Sequence, residues 1–165
     1  SNNSTYYFHC TCVLKGIKLE DDTTFSIDGH TLKESNLLVS MQELTDDGLI
    51  EDSNVITLSA KHIVDRDVLD MWLVLSFHIK KFRNKDNFYQ NLVIQKPLPN
   101  NYLDKIIGDN AYNYLNSLTL DNLKSLATFC DYMDISYLLE ITCAFIANKY
   151  VKNKPIEMIK TLDLI

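Results

Sequence analysis

Glycine and proline are scarce in this chain, at four and three among 165 residues. So few glycines leave no room for the Gly-rich loop that cradles a phosphate, and no such pattern occurs. Basic residues are outnumbered, 16 Lys and Arg against 22 Asp and Glu, for a net charge of −6. That balance lacks the basic face of a nucleic-acid binder, so no nucleic-acid partner is expected. No apolar run approaches the ~18 residues needed to span a bilayer. The opening Ser1-Asn2-Asn3-Ser4 has no basic segment leading into an apolar one. These features predict a protein without a membrane partner, residing in the cytoplasm and nucleus.

Chemistry-bearing constellations are equally sparse. His30, His62 and His78 are scattered, and no Ser or Cys sits in a nucleophile elbow. No catalytic residue is assigned, and the chain is expected not to be an enzyme. Cys10, Cys12, Cys130 and Cys143 lack the spacing of a disulfide framework. His9-Cys10-Thr11-Cys12 offers half of a zinc site but no second pair follows, so packing is the favoured role and neither metal nor cofactor is expected. Glu20-Asp21-Asp22 and Asp46-Asp47 have nothing apolar nearby to raise a carboxyl pKa, which makes them solvated turns. Lys80-Lys81-Phe82-Arg83-Asn84-Lys85 is a basic stretch with an interleaved aromatic. Its simplest reading is a helix end whose cations complement the dipole.

What is present is enough apolar material, 46%, for a core. Alternation from Tyr6 to Leu19 and again over Thr24–Ile27 predicts a β-hairpin, ended by Asp28-Gly29. Thr31–Leu44 predicts one or two short helices, and Val55–Leu58 a third strand. Asp65 or Asp67 caps a helix through Phe82, with Val68, Leu69, Trp72, Leu73, Leu75, Ser76 and Ile79 on its inner face. Residues 84–118, broken by Pro97-Leu98-Pro99, predict a long loop with one short helix near Asn110–Leu115. Three terminal helices follow over Asp121–Met133, Ser136–Tyr150 and Pro155–Leu164.

The middle one is unusual. At roughly 100° per residue, Ile141, Phe145, Leu138, Ile146, Leu139, Tyr150, Cys143 and Ala147 fill one arc, interrupted by Thr142 and Lys149. That arc is about twice the stripe a helix needs to dock on its own domain. Either it is buried on nearly all sides, or part of it is a docking surface for another chain. For this arc and for Ile156, Ile159 and Leu162 of the last helix, the two readings stand about even on physics alone.

The run Tyr132-Met133-Asp134-Ile135-Ser136-Tyr137-Leu138-Leu139-Glu140-Ile141-Thr142-Cys143, then Ile146-Ala147-Asn148, Pro155-Ile156-Glu157 and Lys160-Thr161, resembles the Skp family. These are the F-box-binding adaptors of SCF ubiquitin ligases. The family pattern N-Y-L-D-I-x-x-L-L-D-x-T-C-x-x-V-A-N aligns without gaps from Asp131. Ile17-Lys18-Leu19, Leu32-Lys33-Glu34-Ser35 and Val55-Ile56-Thr57-Leu58 follow the family order more loosely. The resemblance implies an α+β fold, a BTB/POZ-type small sheet packed with helices over 8–85. An irregular Asn-rich loop over 86–111 and Skp-type helices over 112–165 would follow. It implies an F-box surface of Leu139, Thr142, Cys143, Ile146, Ala147, Tyr150, Pro155, Ile156, Ile159 and Leu162. A cullin contact would fall on Asp131 and Tyr132, where Asp131 replaces the family's asparagine. Leu75-Ser76 replaces an aromatic-Cys pair, while His78 keeps its place. The implied function is a non-catalytic adaptor between F-box receptors and a cullin. The alternative is a POZ-fold structural subunit, homodimeric or part of a chromosomal or meiotic scaffold, without cullin binding.

Overall fold

The computed structural model describes residues 14–44, 55–94 and 102–164. The fold is α+β, as expected. The chain separates into two compact units, divided between Val64 and Asp65.

In the first unit, β1 (Leu14–Lys18) and β2 (Thr24–Asp28) form the anticipated antiparallel hairpin, in register from Leu14↔Asp28 to Lys18↔Thr24. The acidic cluster makes its turn. Asp22 adopts φ 65°, its N–H donates to the Leu19 carbonyl at 3.0 Å, and the Asp21 carboxylate accepts from the Thr23 N–H at 3.0 Å. Those Thr23 hydrogen bonds hold the exposed Asp21 carboxyl below its usual pKa. β3 (Val55–Thr57) adds parallel to β1, giving the order β2-β1-β3. Ile17, Ile27 and Ile56 are buried, one from each strand. Leu14, at the end of the predicted alternation, is exposed, and Tyr6 to Cys12 and Asp46-Asp47 lie outside the described residues.

Between β2 and β3 come two helices, α1 (Gly29–Leu32) and α2 (Asn36–Leu44). The first starts where Asp28 ends the strand, because its carboxylate accepts from the Thr31 N–H at 2.8 Å. Ser35 does the same for the second, accepting from the Leu38 N–H at 3.1 Å.

The second unit is helical. α3 (Arg66–Arg83) is capped by Asp65, which accepts from the Val68 N–H at 3.0 Å, while Asp67 lies inside the first turn. Its buried face matches the expected one except that Met71 is buried and Leu73 only half so. Asn84 closes it in the left-handed conformation, φ 56°, a role asparagine tolerates better than most residues. Trp72 of α3 stacks on Phe129 at 5.8 Å between ring centroids. This face joins the long helix to the C-terminal helices, so the compact units divide at 64/65 and not at the expected 85/86.

The described residues within 84–118 carry more helix than the sequence predicts. A 3-10 turn (Phe88–Gln90), α4 (Leu103–Ile107) and α5 (Asp109–Ser117) are found there. Phe88 meets Tyr137 edge-on at 5.1 Å, anchoring that turn to the core. Gly108 links the two helices at φ +88°. A Cβ there would stand 2.6 Å from the Phe82 ring.

Three terminal helices follow. α6 (Leu120–Met133) begins with a capping box, Thr119 and Asn122 exchanging hydrogen bonds. It ends at Asp134, φ 55°, with the Ile135 N–H reaching back to the Cys130 carbonyl at 2.9 Å. α7 (Ser136–Ile146) continues into a π-helical turn, Ala147–Val151, and α8 (Ile156–Thr161) comes last. Pro155 is the residue just before α8 and not within its first turn, its carbonyl accepting from Met158 and Ile159.

Candidate partner-binding surface

The wide apolar arc divides along its length. Leu138, Ile141 and Phe145 are completely or almost completely buried, as are Tyr137, Thr142 and Ile146 beside them. On the other edge Leu139 is half-buried and Cys143 and Ala147 are exposed, with Tyr150 half-buried. Steps of four along a helix align side chains one above the next, so Leu139, Cys143 and Ala147 make a continuous outer strip.

Two of the expected surface residues therefore belong to the core. Thr142 has no exposed area and Ile146 very little, because the centre of the arc faces α6 and the unit's interior. The Thr142 hydroxyl has no hydrogen-bond partner among the described residues. An Ile146→Asp exchange would act on the fold and so would not probe the surface.

The π turn sets how the strip ends. Lys152 N–H bonds to the Ala147 carbonyl at 2.8 Å, a five-residue step. The widened turn spaces Phe145 and Tyr150 five apart, and the Lys149 ammonium lies 5.6 Å and 5.5 Å from their ring centroids. The same ammonium donates to the Asn116 side chain at 3.0 Å, tying the turn to α5. Tyr112 of α5 meets Phe145 edge-on at 5.7 Å.

α8 buries none of its residues. Ile156 is 56% and Met158 53% exposed, Ile159 and Leu162 are half-buried, and Pro155 is exposed. The Lys124 ammonium of α6 donates to the Leu162 carbonyl, which moors the end of the helix. Among the expected residues, then, Leu139, Cys143, Ala147, Tyr150, Pro155, Ile156, Ile159 and Leu162 are at least partly accessible. Met158 joins them, which the wheel of α7 gave no means of finding.

Asp131 and Tyr132 lie together on the last turn of α6, both exposed, just before the left-handed cap at Asp134. Elsewhere in the unit, burial and then the Asp70 carboxylate raise the Tyr114 phenol above its usual pKa of 10.0.

Among the described residues, no group of three or more His, Cys, Asp or Glu is placed to hold a metal. His9, Cys10 and Cys12 lie outside them. No described helix is long and apolar enough to cross a membrane. Cys130 is buried and Cys143 exposed, neither in a disulfide.

A second surface escaped the sequence reading. Phe77 and Phe82 are exposed on α3 beside the lysines that were assigned to its dipole. Its signal was present in the Lys-Lys-Phe-Arg-Asn-Lys run, but Phe77 falls outside that run.

No protein-family model matches the sequence, and no curated protein matches it.

Proposed function

We propose that the chain is a non-catalytic adaptor linking F-box substrate receptors to a cullin in an SCF-type E3 ubiquitin ligase of cytoplasm and nucleus. The observation that carries this reading is the accessible apolar strip of Leu139, Cys143 and Ala147 with Tyr150, together with the accessible Ile156, Met158 and Ile159 of α8. A terminal helix with no buried residue gains little by packing on its own chain, and a partner's apolar side chains would complete its burial. The resemblance of the Asp131–Thr161 run to the Skp family names that partner as the F-box. Asp131 and Tyr132, exposed at the end of α6, are the proposed cullin contact. Within the BTB/POZ reading, β1–β3 with α1 and α2 supply the small sheet and its helices.

The test is a pull-down of F-box receptors by the intact chain and by Ile159→Asp and Ile156→Asp. Both positions are solvent-accessible, so circular dichroism should be unchanged while receptor capture falls by a hot-spot loss of ~2 kcal/mol or more. Capture that survives both substitutions removes the F-box assignment. Light scattering addresses the scaffold alternative. A free homodimer that an F-box segment dissociates means both partners use this surface. One that persists alongside failed capture favours the structural subunit.

A further inference from the structure

The last turns of α3 carry a surface for which the adaptor reading has no use. Phe77 is 60% and Phe82 52% exposed, although the same helix buries Leu75, Ser76 and Ile79. Lys80 and Lys81 lie between the two rings and Lys85 follows the cap. At roughly 100° per residue, Phe77, Lys80 and Lys81 share one face, and His78 and Phe82 the adjoining one. Two hollows flank Lys81. One, of about 460 Å³, is bounded by Phe77, Lys80, Lys81, Asn84, Lys85 and Asp86. The other, of about 610 Å³, lies between Lys81 and Phe82 on α3 and Asp104, Lys105 and Asp109 across the Gly108 link.

The helix dipole explains why cations are tolerated here, and the Arg83 guanidinium has its own role, donating to the Ile106 carbonyl at 3.2 Å. Neither fact explains two phenylalanines held in water among them. Phe82 is not a loose side chain either, since the glycine backbone at 108 lies against its ring. The ammonium groups of Lys80, Lys81, Lys85 and Lys105 form no ion pair or hydrogen bond among the described residues. In a chain of net charge −6 that is a local reversal of sign.

The groups present choose among anionic ligands. Asp104 and Asp109 in the larger hollow and Asp86 in the smaller one oppose a phosphate backbone, whose charge is uniform, whereas a peptide can set acidic residues against the lysines and apolar ones elsewhere. Exposed rings beside unpaired ammonium groups match acidic side chains interspersed with apolar ones.

We propose that this end of α3, with Lys80, Lys81 and Lys85 set between Phe77 and Phe82, docks an acidic peptide segment of a partner protein. Its Asp and Glu side chains meet the lysines and its apolar side chains meet the two rings. The site does not depend on the adaptor function and stands or falls separately from it.

The experiment is selection of a displayed random-peptide library on the full chain, followed by resynthesis of the enriched peptides for titration. The expected peptides are rich in Asp and Glu interspersed with Leu, Phe or Trp, and bind more weakly as salt rises. Lys81→Glu and Phe77→Ser, both at exposed positions, should each weaken them about tenfold with unchanged circular dichroism. Lys61→Glu, elsewhere on the chain, should bind like the parent. Any of several results overturns the proposal: no enrichment, enrichment of neutral or basic peptides, or equal binding by the two site variants. So does tighter binding of single-stranded RNA or duplex DNA at the same salt. Self-association of the chain abolished by the same two substitutions also overturns it, in favour of a second copy.

Discussion

The Thr142 hydroxyl sits on the inner face of α7 with no exposed area and no hydrogen-bond partner among the described residues. A buried polar group left unpaired costs about 1–3 kcal/mol, whereas valine has nearly the same shape without the hydroxyl. Thr142→Val should therefore stabilise the chain by about 1 kcal/mol, read as a higher urea midpoint at unchanged slope. A lower midpoint would mean that the hydroxyl has a partner in solution. At this scale the sequence was legible where one residue decides one contact. Asp28 stopping a strand and Asp65 as one of two candidate caps both follow from local chemistry. Thr142 was not, because a wheel gives the direction of a side chain but not which half of a wide arc meets the core.

Helices differ in how openly they announce themselves. α3 and α6 carry long periodic stripes and side-chain caps, and both match the sequence expectation to within one residue at each end. α4 spans only five residues, too few to display a period, and was read as loop. The lone glycine after it was the available clue. Gly108 adopts φ +88° with ψ 160°, a region that only glycine occupies readily, and a side chain there would strike Phe82. Gly108→Ala should lower stability by about 2–4 kcal/mol, from backbone strain together with displacement of the ring. Thermal unfolding checks this, and an unchanged midpoint would mean that the α4–α5 link is free to adopt another conformation. The π turn after Ile146 lies beyond sequence reading, since its extra residue is set by the Lys149 contacts to Phe145, Tyr150 and Asn116.

Across the whole molecule, stability is distributed unevenly within the helical unit. α7 buries six side chains and α8 none. Opening costs least where few apolar contacts are lost, so amides of residues 156–164 should exchange with solvent well before those of 138–146. Hydrogen exchange followed by mass spectrometry checks this order, and receptor binding should slow exchange in the last helix. Equal protection of both segments in the free chain would show that α8 is already covered. The α+β class and the place of the terminal helices were evident from patterning. The division at Val64 was not, because it depends on Trp72 packing against Phe129, a pairing between residues 57 positions apart.

The widened turn at Ala147–Val151 has a geometric consequence. It accommodates one more residue than an ordinary turn would, so the heading of everything beyond it is governed by how many residues the turn holds as well as by which they are. Removing a single residue there would let the backbone tighten and turn the point at which the chain leaves α7 by about a third of a revolution, leaving every buried side chain of α7 where it is. The hydrophobic interior and the bearing of the last helix are thus adjustable independently of each other.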